Sequence, residues 1–373
     1  RDFYKTTRLG GILGFYGQDS WKITPRLTVN LGFRYDMTFI PPLGNEEKRS
    51  IYMGNLDLLS GTYILQANPG PCASLGSAPC IPTPDGSLPE HVVLSPNGKL
   101  LNNWLDNWQP RVGLAYRASA KLALRAGFGM FFDSFSGIIQ MDQNMGETWP
   151  SIGRQLTTNF NQPTAAQPLP TTSGKDPYPG LAQPAPTPFS AGAFFADPNF
   201  KNAYSLQWNF GVQYQLDQNT MIETDYVGSG NRRLDIGGLY NVALTPGPGN
   251  ARARSPYPYI APANFDRSWG RSAYDALQVQ LRRRYASGMS LTVAYTWSKS
   301  ISIGCDGFFG VEGCSVQDPY HFNNDRSVSS TNVPHNLSVN WLYELPIGRN
   351  KLLHTGNSVA DYLIGGWQIN GIA

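Results

Sequence analysis

Strict alternation of apolar and polar residues over long stretches most constrains what this chain can fold into. Across Leu27–Phe39 every odd-numbered position is apolar or aromatic, and every even-numbered position is polar, charged or glycine. Residues 204–216 show an equally regular alternation. A period of two predicts a β-strand with one apolar and one polar face. Strands of about 13 residues are twice as long as most soluble strands. They predict an all-β fold, an antiparallel up-and-down transmembrane β-barrel with lipid on one face and water on the other.

The composition agrees with a barrel and argues against a transmembrane helix and a nucleic-acid partner. Hydrophobic residues make up 41% of the 373 residues, and charged residues only 15%. The chain has no run of about 18 apolar residues, so no transmembrane helix is expected. A net charge of +3 is too small to predict a nucleic-acid partner. We expect no nucleic acid, no cofactor and no bound metal ion.

About ten strands are predicted, and the connections between them alternate in length. The predicted strands cover residues 11–23, 27–39, 108–118, 121–133, 204–216, 220–228, 273–285, 289–299 and 335–346, with a tenth beginning near Gly365. The turns at 24–26, 119–120, 217–219 and 286–288 are short, whereas the other connections have about 35–70 residues and are read as irregular loops. Outer-membrane barrels have short periplasmic turns and long extracellular loops. This rule predicts which end of the sheet faces the periplasm.

Several phrases recur in order across nearly the whole chain. They are FYGQDSWKITP (15–25), LTVNLGFRY (27–35), QPRVGLAY (109–116), RAGFGMFFD (125–133), QWNFGVQ (207–213), YVGS (226–229), YDALQV (274–279), YTWSK (295–299), YELPIG (343–348) and GGWQ (365–368). As an ordered set they resemble the barrel of TonB-dependent transporters, specifically the Oar-like group with an N-terminal carboxypeptidase-regulatory-like domain.

The resemblance implies a location, a partner and a function. Such proteins lie in the bacterial outer membrane, in contact with its lipid, and have a barrel of roughly 22 strands filled by an N-terminal plug. They take up a large or scarce ligand with energy supplied by the TonB–ExbB–ExbD complex through a TonB box. Residues 1–373 would then be a partial barrel domain, with plug, TonB box and any regulatory-like domain outside this stretch. The ligand could be a siderophore, a glycan or a peptide.

Two rival functions remain open at this point. The first is a passive outer-membrane channel or structural barrel without TonB coupling. The second, a barrel hydrolase, would need a catalytic group, but no Gly-x-Ser-x-Gly motif or paired carboxylates stand out. The sequence therefore predicts a protein that is not an enzyme and has no catalytic residue.

Two sets of residues are candidates for special roles. The cysteines form two close pairs in predicted extracellular loops, Cys72 with Cys80 and Cys305 with Cys314, and pairing within each loop is the simplest of three connectivities. The second set is the polar face of the predicted strands, which should line the lumen. Its members are Asn30, Arg34, Asp36, Arg111, Arg125, Gln207, Asn209, Gln213, Glu223, Asp225, Gln278 and Gln280.

Overall fold

A computed structural model describes residues 11–40, 52–76, 78–133, 148–150, 188–189, 194–303, 316–348, 351–353 and 357–373. The strands are β1 (Gly11–Thr24), β2 (Leu27–Phe39), β3 (Gly54–Asp57), β4 (Thr62–Leu65), β5 (Val92–Leu94), β6 (Trp104–Arg117), β7 (Leu122–Phe132), β8 (Phe194–Ala196), β9 (Tyr204–Gln215), β10 (Thr220–Tyr240), β11 (Ala263–Ala286), β12 (Met289–Ile303), β13 (Ser327–Val328), β14 (His335–Glu344) and β15 (Gln368–Ile372). Short helices cover Cys72–Leu75 and Ser358–Ile364, and 3-10 turns cover Ala251–Arg254 and Phe322–Asp325. Among the described helices, none is both long and apolar enough to cross a membrane.

Within the described residues, ten strands of one sheet form an antiparallel path whose spatial order follows the chain. The order is β1-β2-β6-β7-β9-β10-β11-β12-β14-β15, and all neighbours on this path are antiparallel. The predicted up-and-down meander of about ten long strands is therefore confirmed. The edge strand β8 runs parallel to β11, and β13 adds a short pairing to β12.

Four short turns join strand pairs at the same end of this sheet, which we call the turn end; the opposite end is the loop end. They connect β1 to β2, β6 to β7, β9 to β10, and β11 to β12. The β11–β12 turn shows how the sequence closes a hairpin. Ser287 and Gly288 both have positive φ, 53° and 79°, as a two-residue type I′ turn requires.

One face of the sheet is apolar and exposed. The register places Leu114, Ala126, Phe210, Tyr226, Leu277 and Trp297 in a single row across six strands. Leu31 is 40% exposed and Leu337 is 60% exposed, although both belong to this regular sheet. A face of this size would be an aggregation hazard in water, and in an outer-membrane barrel it contacts lipid.

The strands are long enough for that role. The 13 residues of β2, at about 3.3 Å per residue, extend roughly 43 Å. With a tilt near 40° they rise roughly 33 Å, which exceeds the roughly 25 Å apolar band of an outer-membrane barrel.

Well-packed apolar residues lie at the loop end, and this corrects the prediction of irregular loops there. Strands β3 and β4 pair antiparallel, and β5 joins β4 in parallel, giving a second sheet inside the connection between β2 and β6. The rings of Tyr63 and Phe265 and the side chains of Leu65 and Ile81 are fully buried. Residues from distant connections pack into the same core, including Trp149 and Phe189. The described loop segments therefore contain a compact extramembrane layer, which we call the loop-end cap.

The longest strands also differ from the prediction. A loop was expected from residue 229 to 272, but β10 continues to Tyr240 and β11 already begins at Ala263. Alternation fails in these extensions because both of their faces are covered. Ile236 and Phe265 are buried in the cap on one side, and the charged side chains of Asp266 and Arg267 are buried as well.

A disulfide joins Cys72 to Cys80 within the loop-end cap. Their Cα atoms lie 4.8 Å apart, within the range that a disulfide can bridge. The first of the two predicted pairings is thus present in the structure. Cys305 and Cys314 lie outside the described residues, so their pairing stays a prediction.

Candidate functional site

The face opposite the apolar rows carries polar side chains on most strands, with small residues such as Gly211 between them, and we call it the polar face. One register row joins Gln213, Glu223 and Gln280 across three strands. The adjacent row joins Arg125, Gly211, Asp225 and Gln278. All twelve predicted lumen-facing residues belong to rows of this face, namely Asn30, Arg34, Asp36, Arg111, Arg125, Gln207, Asn209, Gln213, Glu223, Asp225, Gln278 and Gln280. Their contact with a ligand stays a prediction.

A polar network centred on the buried carboxylate of Asp36 lies where the polar face approaches the loop end. Arg34 Nε donates to both carboxylate oxygens of Asp36, at 3.0 Å and 2.8 Å. Gln109 Nε2 donates to Asp36 Oδ2 at 2.6 Å, and the backbone N of Phe132 donates to Gln109 Oε1 at 3.4 Å. The carboxylate of Asp36 therefore links β2 to β6, and the carboxamide of Gln109 links β6 to β7.

Further buried amides surround this network. Asn202 Nδ2 donates to Thr38 Oγ1 at 2.9 Å, which ties the start of β9 to β2. Asn107, paired in register with Asp36, is fully buried. The sequence prediction did not include Asn107, Gln109 or Asn202. Alternation shows the face on which a residue lies but not how deeply it is buried. These amides are buried because residues of the loop end cover them, and a local sequence pattern does not show that contact.

A shallow groove crosses the middle of the polar face. It has a volume of about 410 Å³, and its polar-face lining includes Arg111, Phe131, Gln207, Asn209, Ser229 and Tyr274. The guanidinium carbon of Arg111 lies 4.4 Å from the centre of the Phe131 ring, a cation–π contact. The sequence prediction missed Phe131, Ser229 and Tyr274. The predicted strand 273–285 already placed Tyr274 on the face of Gln278, but Tyr274 was not selected as a lumen-facing candidate.

A second groove continues from the first across β11 and β12. It also measures about 410 Å³, and its lining consists of Tyr274, Gln278, Thr296, Ser298, Ser300, Thr331, Asn332, Val333 and Asn336. Tyr274 lines both grooves. Hydroxyl and carboxamide groups dominate the second groove, and none of its described lining residues is charged. Such a surface can exchange hydrogen bonds with a passing polar solute without holding it by charge.

Buried charges lie in the loop-end cap, outside the membrane-spanning part of the strands. Arg267 Nε lies 3.7 Å from Asp197 Oδ2, and both side chains are buried. Burial, and then the negative charge of Asp266, raise the pKa of Asp235 to about 8. The cap therefore holds an acid that prefers its neutral form near neutral pH.

The titratable groups of the described residues do not form a metal centre. No group of three or more His, Cys, Asp or Glu side chains with metal-binding geometry occurs in the described ranges. His321 Nδ1 lies 2.8 Å from Asp318 Oδ2, an exposed local pair that lowers the pKa of Asp318 through the hydrogen bond from His321. The described polar face and its grooves are suited to binding and passage of a solute.

Comparisons with known proteins give a family but no close relative. No functionally curated protein matches the chain. The structure of the FrpB iron transporter of Neisseria meningitidis superposes with a TM-score of 0.40 and 10% sequence identity. The superposition covers 90% of this chain and 30% of the transporter. The structure of the ferripyoverdine receptor of Pseudomonas aeruginosa superposes with a TM-score of 0.39 and 12% sequence identity, covering 90% of this chain and 26% of the receptor. The chain thus spans less than a third of these two structures, and overlaps this weak say nothing about its ligand.

The family assignment comes from the sequence itself. Residues 3–373 match the model of the outer membrane beta barrel domain, which is nearly the whole chain. The exposed apolar rows, the opposite polar face and the alternation of short turns with long connections agree with that match. The chain belongs to the outer membrane beta barrel domain family, and its location is the bacterial outer membrane.

Proposed function

We propose that this chain is the barrel part of an outer-membrane receptor and transporter that takes up a large or scarce solute with energy supplied through TonB. The observation that carries the proposal is the polar face, which extends across β2, β6, β7, β9, β10, β11 and β12. When one face of a sheet contacts lipid, a polar opposite face is expected only if the sheet encloses water or a polar filling.

The two grooves of the polar face mark the path that a solute would follow. They meet at Tyr274 and together reach from Arg111 on β6 to Asn336 on β14. The loop-end cap supports a receptor role, because its packed core can hold binding loops in fixed positions above the lumen. The ordered phrases shared with TonB-dependent transporters support the coupling to TonB.

The proposed substrate, the proposed TonB–ExbB–ExbD partner and the remaining barrel strands concern the full-length protein, of which this chain would be one part. A siderophore, a glycan and a peptide are the ligand classes that this proposal includes. The proposed protein is a transporter and has no catalytic role.

The test is solute uptake by cells that carry the full-length gene. Labelled candidate solutes are supplied at a concentration below that needed for passive entry, with and without a protonophore that collapses the inner-membrane proton gradient. The proposal expects accumulation that stops after uncoupling and in a strain that lacks TonB.

Accumulation that continues unchanged under both conditions would contradict TonB coupling and support a passive channel. A variant that tests the solute path is full-length protein with Tyr274→Ala, which enlarges both grooves without adding charge. We expect this variant to insert normally and to change the uptake rate, since Tyr274 lines both grooves.

A further inference from the structure

Four basic side chains line a cavity at the turn end of the sheet. The cavity has a volume of about 270 Å³, and Arg117, Lys121, Arg282 and Arg284 contribute to its wall. They come from the ends of β6 and β11 and from the β6–β7 turn, which are far apart in sequence. We call this cavity the turn-end basic pocket.

The pocket opens on the polar face. Arg282 pairs in register with Met221, which pairs with Gln215. Arg117 pairs with Ala123, which pairs with Gln213, a residue of the polar face. Since cross-strand partners point to the same side of a sheet, these arginines extend toward the side of the sheet that is away from lipid.

The positive charges of the pocket lack acidic partners within the part of the chain that the structure describes. None of the four side chains forms an ion pair with a described residue. Among the described lining residues the one carboxylate, Asp217, is engaged in its own turn. Its Oδ1 accepts hydrogen bonds from the backbone N of Asn219 at 2.8 Å and of Thr220 at 3.0 Å.

These contacts keep Asp217 ionised without neutralising the pocket. The hydrogen bond from the Asn219 backbone, followed by that from Thr220, lowers the pKa of Asp217. Four cations and one anion leave a net charge of +3 around the cavity. Like charges held together repel one another, and a concave wall concentrates their field on any anion that enters.

We propose that the turn-end basic pocket binds a small solute carrying two or more phosphate or carboxylate groups. Guanidinium groups bind both classes of oxyanion with paired hydrogen bonds, and a lysine adds a mobile point charge. The solute would reach the pocket from the lumen or from the turn-end mouth. This site is separate from the two grooves and does not depend on TonB coupling.

The arginine run itself supplies a matched control. Arg283 lies between Arg282 and Arg284 but points to the other face of β11, and its Nη1 donates to Thr220 Oγ1 at 3.3 Å. Arg283 is absent from the cavity lining. Replacing it removes one positive charge from the same segment and releases Thr220, a residue of the cavity wall, but leaves the four basic side chains of the pocket in place.

The experiment measures binding of tripolyphosphate and of citrate to purified full-length protein in detergent by titration calorimetry at low salt. We expect wild type and R283Q to bind at least one probe equally well, and R282Q/R284Q to bind it at least about tenfold more weakly. Binding of tripolyphosphate alone assigns phosphate groups, and binding of citrate alone assigns carboxylates. Heat-modified gel mobility reports whether each variant is folded.

K121Q provides a second variant that is independent of the β11 strand, and it should weaken binding as well. Moving from low salt to about 0.5 M salt should weaken wild-type binding, because the site acts through charge. The proposal is wrong if neither probe binds at millimolar concentration, or if folded R282Q/R284Q and K121Q bind as tightly as R283Q.

Discussion

Gln109 Nε2 donates a hydrogen bond of 2.6 Å to Oδ2 of Asp36, a carboxylate that is only 2% exposed. Arg34 Nε donates to the same group from the same strand. One acidic side chain therefore fixes the register of β2 against β6 near the loop end, where the transmembrane sheet meets the cap.

Removal of this carboxylate should destabilise the barrel. In full-length protein, Asp36→Ala leaves the Gln109 amide and the Arg34 guanidinium without their acceptor, which we expect to cost about 2–3 kcal/mol. The measurement is a urea titration of folding into lipid vesicles. Asp106→Ala, which removes an exposed carboxylate from the neighbouring strand, is the control. Equal stability of the two variants would contradict the role of Asp36.

A charge on the apolar face should be far more costly than the same charge on the polar face. Leu31→Arg places a guanidinium among lipid chains and is expected to cost about 2–4 kcal/mol if residue 31 lies near the midplane. Asn30→Arg adds the same group one residue earlier, on the opposite face, and should cost much less. Folded and unfolded fractions on semi-native gels compare the two. If both variants fold equally well, the assignment of faces is wrong.

The disulfide in the loop-end cap should stabilise the cap without affecting the sheet. Its half-cystines are eight residues apart, and in the chain-entropy model a loop of this size gives roughly 2–3 kcal/mol. We expect Cys72→Ala/Cys80→Ala to speed limited proteolysis within residues 66–95 while gel mobility of the barrel stays unchanged.

Mass mapping of the same digests under non-reducing conditions addresses the second pair. We predict a bond between Cys305 and Cys314. Free thiols at these positions, or a bond from either residue to Cys72 or Cys80, would contradict local pairing.

The cap should loosen as pH rises. Because burial raises the pKa of Asp235 to about 8, the folded cap holds this proton more tightly than the unfolded chain, whose carboxyl titrates near pH 4. The stabilisation is complete below about pH 4 and is lost as pH rises through about 8. Hydrogen exchange of residues 229–240, corrected for intrinsic rates, should show less protection at pH 9 than at pH 5.

Two variants separate this effect from a general response to pH. Asp235→Asn should make protection of that segment nearly independent of pH. Asp85→Asn should leave the wild-type dependence intact, because the hydrogen bond from Ser87 lowers the pKa of the exposed Asp85, which therefore titrates far below this range. An unchanged pH dependence in Asp235→Asn would contradict the role of Asp235.

The sheet could be predicted from the sequence because one physical rule applies along most of its length. Wherever one face contacts lipid and the other is polar, apolar and polar residues must alternate, as in β2 and β9. Tight turns such as Ser287-Gly288 then fix which strands are neighbours. The same rule placed the twelve polar-face residues on one side.

The rule fails where the sheet leaves the membrane. The extension of β10 reads Gly-Ser-Gly-Asn-Arg-Arg-Leu-Asp from residue 228 to 235 and has no period of two. The small sheet of β3, β4 and β5 is held by contacts such as Tyr63 Oη to the Trp149 carbonyl, between residues 86 positions apart. Packing of this kind between distant loops leaves no local pattern. The buried site residues Asn107 and Gln109 were missed for the same reason.

The most direct measurement concerns which side of the sheet faces water. Single cysteines are introduced from Thr28 to Asp36 in full-length protein whose native cysteines are replaced by alanine, and each is labelled in intact outer membranes. A water-soluble, membrane-impermeant thiol reagent should label positions 28, 30, 32 and 34, whereas a lipid-soluble quencher should reach a probe at 29, 31, 33 and 35. Labelling without a period of two, or with the two sets exchanged, would contradict a polar face that lines the lumen of an outer-membrane barrel.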